Sequence, residues 1–351
     1  MTSADLARED RAALESAQRA LAWLLSRQRP DGGWAGLPNP SIDGFYKVGA
    51  AFASMGAAAA AERVFDYIKA HHLRPDGDLA PRDNPWHIGV HYQYANGWTV
   101  IGAQKLGRYD VAQPALRFLL SQQDLVHGGF YSLRAEAGQR QRCDTMSTGI
   151  AGIACLAAGQ LDAARRAAAF LETLIDMQPA PEERFYATIN ADGKLGVEFP
   201  PDEAAWRMVD THKRDQVWYA VGLPFSFALL MQQATGEERY ARLARWFFDF
   251  QTRCVNPWEG GSSGKAAWGC AMLYHYTAEP RYRDIALTTS RLFAGMQTLD
   301  GWYALREKAP YAGKSAAGAN LQFAERDYDA IAELMMWQGL IASHLLARDA
   351  A

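Results

Sequence analysis

The chain has 351 residues, of which 49% are hydrophobic, 12% aromatic and 21% charged, with 36 basic against 39 acidic side chains and a net charge of −3. This is globular chemistry, so disordered and collagen-like chains are excluded, and the absence of a basic surplus gives no nucleic-acid-binding surface. Four cysteines without a CxxC spacing make neither a disulfide framework nor a structural zinc site, so metal is not expected. The N-terminus is charged and lacks a long apolar run, so a cytoplasmic location is expected, with no secretory leader and no membrane span.

In chain order, an amphipathic stretch ends at Trp23-Leu24 and Gln28, followed by Gly32-Gly33-Trp34. The pattern returns as Phe118-Leu119, Gln123 and Gly128-Gly129-Phe130, and again as Leu292-Phe293, Gln297 and Asp300-Gly301-Trp302. Looser copies centre on Phe65 with His72 in the Gln position, on Phe170 with Gln178, and on Phe247 with Gln251. Each copy precedes a second helical stretch, near 44–55, 91–106, 144–158, 214–234, 265–277 and 328–347. These are apolar on several faces, which marks buried helices. Short links at Gly56, Gly107, Gly159 and Gly236, and at Glu279-Pro280, lead from buried to outer helices, where a left-handed glycine ends a helix. The reverse links are long and fall on one face, where functional loops gather. The segment 183–199 alternates and turns at Asp192-Gly193, which predicts a small β-hairpin on that face. The prediction is an all-α fold, one domain over 1–351, built as six helical hairpins closed into an (α/α)6 barrel, in preference to an open solenoid.

The Gln28 to Trp34 element resembles the QW motif of squalene–hopene and oxidosqualene cyclases. The same toroid occurs in prenyltransferase β-subunits, N-acylglucosamine 2-epimerases, unsaturated glucuronyl hydrolases and some polysaccharide lyases. The resemblance implies a structural role for Gln28, Trp34, Gln123, Gln297 and Trp302. It lacks the Asp-x-Asp-Asp acid of terpene cyclases, Asp327-Tyr328-Asp329 being the nearest match.

The starts of the buried helices are expected to line a funnel. Asp43, Tyr46, His91, Asp144, His212, Asp215 and Asp327 are the candidate acid–base groups. Lys47, Trp86, His87, Tyr92, Trp98, Arg142, Arg214, Trp218, Lys265, Trp268, Arg326 and Tyr328 are the candidate substrate contacts. Tyr94 and Asp329 stand beside them. His87 and His91 have a metal-like spacing but lack the Glu of HExxH. Asp144 has a second reading as a helix N-cap, and about half of the aromatics have one as core filling. Six helix N-termini with five nearby cations favour an anionic group on a small-molecule ligand. No glycine-rich nucleotide motif is present, so no cofactor is expected. These features predict an acid–base cyclase, lyase or isomerase of secondary metabolism. The alternatives are a carbohydrate-active enzyme (sugar epimerase, unsaturated uronide hydrolase or oligosaccharide lyase) and a non-catalytic binding scaffold.

Overall fold

The structure, a computed structural model, describes residues 3–38 and 40–349. Six outer helices alternate with six inner ones. The pairs are α1 (Ser3–Arg27) with α2 (Val48–Ser54), then α3 (Ala58–His71) with α5 (Gln93–Lys105), the short α4 (Pro85–Gly89) lying between them. Next come α6 (Tyr109–Ser121) with α7 (Thr145–Ala157), and α8 (Leu161–Asp176) with α10 (Tyr219–Thr235), with α9 (Pro201–Arg207) inserted. The last pairs are α11 (Glu238–Arg253) with α12 (Gly264–Thr277), and α13 (Pro280–Met296) with α14 (Glu325–Asp349). Inner helices touch in the order α2, α5, α7, α10, α12, α14, and α14 returns to α2, while α1 lies along α14. The ring is closed, as the repeats predict.

The inner helices are buried because apolar and small residues cover several of their faces, with most charges of α12 and α14 gathered toward the helix starts. Every residue from Thr145 to Cys155 in α7 is buried. α14 is long and apolar enough by composition to cross a membrane, yet it is an inner stave with most of its apolar window covered. Gly56, Gly107, Gly159 and Gly236 all take positive φ at the inner-to-outer turns, and Ala278 takes that conformation in the fifth.

The repeated Gln ties neighbouring outer helices together. Gln28 Nε2 donates to the Ala60 carbonyl at 3.0 Å, Gln123 Nε2 to Ala163 at 2.9 Å, and Gln297 Nε2 to Ser16 at 2.8 Å. In each joint an arginine three residues on, Arg63, Arg166 or Arg19, donates back to the Gln carbonyl. The glycine lets the two backbones meet: a Cβ on Gly32 would stand 2.0 Å from the Arg63 carbonyl oxygen, and one on Gly128 2.3 Å from that of Arg166. In the second copy His72 replaces Gln, and neither of its ring nitrogens finds a partner among the described residues.

Two small two-stranded sheets interrupt the helices. β1 (Cys143–Asp144) pairs with β3 (Thr188–Ile189), and β2 (Arg184–Tyr186) pairs with β4 (Met208–Asp210), both antiparallel. The tight turn predicted at Asp192-Gly193 forms, closed by an Ile189–Leu195 bridge. The extended segment before it, however, takes its longer pairings from β1 and β4, because those strands offer free edges beside α7 and α10.

Candidate functional site

On the long-loop face a cavity of about 660 Å³ opens into the ring. Its wall is built from loop and helix starts, so its side chains come from distant parts of the chain. Ser41 caps a turn of 3-10 helix that sets Asp43 and Tyr46 in place. Asn84 caps α4 and Pro85 begins it, which fixes Trp86 and His87 over the opening.

Asp43 Oδ1 is hydrogen-bonded to His87 Nδ1, and its Oδ2 accepts the backbone N–H groups of Asp83 at 2.7 Å and Asn84 at 2.9 Å. The bare His87 Nε2 then accepts the Tyr46 hydroxyl at 3.1 Å. Burial opposes charge on Asp43, but His87 and the two N–H groups outweigh it and bring the carboxyl down to about 2. Burial also lowers the His87 pKa from its ordinary value. Both shifts describe a neutral imidazole beside an ionised carboxylate. Burial holds the Tyr46 phenol well above its usual range, so Tyr46 keeps its proton.

The floor carries the opposite chemistry. Lys47 and Lys265 both donate to Glu333, and Lys47 also pairs with Asp329 at 2.9 Å. Burial penalises the Glu333 charge, yet the two ammonium groups hold it far below the ordinary glutamate range. Burial would lower both lysines too; Asp329 and Glu333 raise Lys47, and chiefly Glu333 raises Lys265. Asp329 goes the other way, raised by burial despite Lys47, and its Oδ1 has no partner among the described residues. The Tyr94 hydroxyl beside it is buried and likewise without one.

A second imidazole stands behind Trp86. His91 Nδ1 donates to Asp144 Oδ1 at 3.1 Å, while His91 Nε2 is unpartnered among the described residues. Asp144 also caps α7 through the Ser147 N–H at 2.7 Å, as its second reading expects. The Trp86 ring lies 4.9 Å from His87 and 4.7 Å from His91 between centroids, and its N–H reaches the Tyr219 hydroxyl at 3.3 Å. The two histidines do not share a helical face, because α4 stops at Gly89 and each ring turns to its own carboxylate. No three His, Cys, Asp or Glu side chains converge in a metal-binding group among the described residues.

Of the residues singled out from sequence, Asp43, Tyr46, Lys47, Trp86, His87, Lys265 and Arg326 line the cavity, and His91 with Asp144 lie behind its wall. The others stand elsewhere. His212, Arg214 and Asp215 are exposed and outside the lining, because β4 carries their loop outward to pair with β2. Arg142 is engaged by Glu203 at 2.9 Å and Asn190 at 3.2 Å. Asp327 accepts from Lys308 at 3.0 Å and the Ala324 N–H at 2.8 Å, bracing the start of α14. Tyr92 donates to Asp78 at 2.7 Å beneath the Arg82 guanidinium. Trp98 and Trp268 both pack on Trp337 with centroids 5.7 Å away, Tyr328 stacks on Trp34 at 4.4 Å, and Trp218 is buried against Gly260. These aromatics are core.

The sequence reading does not single out Glu333, Tyr219, Trp206 or Arg306, all of which line the cavity. For Glu333 a signal exists: one turn after Asp329, it is the only Asp, Glu, Lys or Arg between Ala330 and Ala347. A larger hollow of about 820 Å³ between α10 and α13 lies at the other end and holds no comparable cluster.

The sequence matches no protein-family model and no curated protein. The structure is similar to D-mannose isomerase, with a TM-score of 0.67 at 13% identity, covering 93% of this chain and 96% of that one. It is similar to a GH76 α-mannanase of Bacteroides thetaiotaomicron, with a TM-score of 0.64 at 15% identity over 95% and 97% of the two chains. It also resembles an inactive α-1,6-mannanase variant of Salegentibacter sp. in complex with α-1,6-mannotriose, in which two adjacent aspartates are replaced by asparagine (TM-score 0.60, 12% identity, 94% and 99% coverage). These likenesses establish the shared toroid.

Proposed function

We propose that the chain is a carbohydrate-active enzyme that moves protons on a small sugar, as an aldose–ketose isomerase or epimerase. The observation that carries this is the placement of the Asp43–His87–Tyr46 relay and the Lys47–Glu333–Lys265–Asp329 cluster around one cavity. Removing a proton beside a carbonyl requires a base, a proton donor and positive charge near the developing oxyanion. Asp329, with its raised pKa and bare oxygen, suits the base and acid in turn. Tyr46, whose hydroxyl proton is committed to neutral His87 Nε2, turns its oxygen lone pairs to a sugar hydroxyl and positions it, while Asp329 returns the proton it takes. Lys47 and Lys265 supply the charge, and Glu333 keeps them protonated and still. The volume falls within the usual range for a small-molecule site.

The fold neighbours support the carbohydrate alternative over the cyclase or lyase of secondary metabolism. Within that class, isomerisation is favoured over hydrolysis on one observation. The mannanase described as inactive has lost two adjacent aspartates, whereas the carboxylates lining this cavity, Asp43, Asp83, Glu325, Asp329 and Glu333, include no adjacent pair. Four buried free cysteines support a reducing compartment as the place of action.

The test is solvent exchange. The protein is incubated in deuterium oxide with D-mannose, D-glucose, D-fructose and N-acylated aminosugars, and deuterium at the carbon next to the carbonyl is read by NMR. Exchange with interconversion is the expected result. Release of reducing ends from α-1,6-mannotriose without exchange would replace this reading with hydrolysis.

A further inference from the structure

The cations at the cavity are not equivalent. Lys47 and Lys265 are held at the floor by Glu333 and Asp329, where they face the reacting oxygen and not the mouth. At the mouth, Arg326 donates to Glu307 at 3.1 Å. Arg306 differs from all three. It lines the cavity and is exposed, and among the described residues no hydrogen bond, ion pair or ring contact engages its guanidinium. It also holds a φ of +55°, in the left-handed region where glycine is the comfortable residue. Backbone strain of this kind clusters at ligand clamps, and of the four non-glycine residues with positive φ among the described residues Arg306 alone lines the cavity.

We propose that the substrate is a sugar carrying an oxyanion, phosphate or carboxylate, at the end remote from the reacting carbons, and that Arg306 holds that group at the mouth. The proposal rests on the sugar reading given above. It places the reacting carbons at the floor, where the charges are balanced for proton transfer. It places the anion at the lip, on the Arg306 guanidinium and turned away from the lining carboxylates Asp83 and Glu325. The planar guanidinium fork suits two oxygens of either group.

The experiment is calorimetric titration of the full chain with unreactive ligands: a neutral hexitol, the same hexitol 6-phosphate, a hexuronate, and inorganic phosphate as a control. The expected result is binding of one or both anionic sugars at least tenfold tighter than the neutral hexitol, with a preference that weakens with salt. Arg306→Gln brings that ratio close to one. Arg306→Gly does the same and raises the melting temperature by relieving the strain. Phosphate and uronate arms tell the two sources of oxyanion apart. A ratio near one in the wild type, or an unchanged ratio in Arg306→Gln, overturns the clamp while leaving the sugar reading intact. Failure of every sugar to bind overturns both.

Discussion

Asp329 and Glu333 stand one helical turn apart on α14 and share the Lys47 ammonium, yet their protons are held in opposite ways. Asp329 is raised by burial, and Glu333 is held low by two lysines. A pair of carboxyls pushed apart by their surroundings divides the labour between proton transfer and fixed charge. Asp329→Asn is expected to cut turnover by about 100-fold or more with no loss of melting temperature. Glu333→Gln leaves Lys265 buried without a carboxylate and is expected to cost about 3–5 kcal/mol in urea unfolding. Equal stability losses in the two variants would contradict this division.

The relay makes a different prediction. Asp43→Asn can present an amide N–H where His87 donates, so the imidazole is driven to its other tautomer and Tyr46 loses its acceptor. Turnover should drop by about 100-fold, and Tyr46→Phe should add little further loss in the double variant, since both break one chain of hydrogen bonds. Additive losses, measured from kcat in the four-member cycle, would separate the two residues.

His72 gives a pH dependence of stability. Burial lowers its pKa to about 4 in the folded chain, against an ordinary 6.5. The unfolded chain therefore takes up the proton first, and stability present above pH 6.5 is lost as pH falls from 6.5 to about 4. The swing is on the order of 3 kcal/mol for a shift of this size. His72→Gln should remove that component. It should also gain about 1 kcal/mol at pH 7 by restoring the joint that Gln28, Gln123 and Gln297 make, here to the carbonyl near Val111. Melting curves of both proteins between pH 4 and 7 decide it, and parallel curves would refute it.

The backbone contact at each joint is equally open to test. Gly32→Ala puts a Cβ 2.0 Å from the Arg63 carbonyl oxygen at a φ of +90°. A loss of about 2–3 kcal/mol is expected from clash and strain together. Gly36→Ala, also at positive φ but with open space around it, should cost about 1 kcal/mol. Similar losses at both sites would show that conformation alone, and not helix contact, governs the position.

The ring was legible in the sequence because six copies of one hairpin repeat the same boundaries, three of them with the full Gln and glycine–aromatic turn, and four inner helices end on a glycine stop. Half of the site was legible for a related reason, since Asp43, Tyr46, Lys47 and His87 sit where the first two inner helices begin. Glu333 was hidden because it lies two turns inside α14, among residues that read as pure core. His212, Arg214 and Asp215 misled for the opposite reason. A dense charged run in a long loop looks like a mouth, but two strands turn it to solvent. Tyr328 and Trp218 show that an aromatic at a helix start is as useful for wedging helices as for facing a ligand.

The seam between α1 and α14 carries a consequence for how the molecule is made. Of the ring's helices α1 is made before the others, yet its buried face is completed by α14, and Gln297 at the end of α13 reaches Ser16 of α1 beside that seam. Five hairpins can stack as they emerge, but they form an open crescent with an uncovered apolar edge at each end. The Lys47–Glu333 bond spans this gap, so the floor of the cavity does not exist until the crescent shuts. Chaperone dependence in the cell, and circular permutants cut between later hairpins, are where this late assembly would become visible.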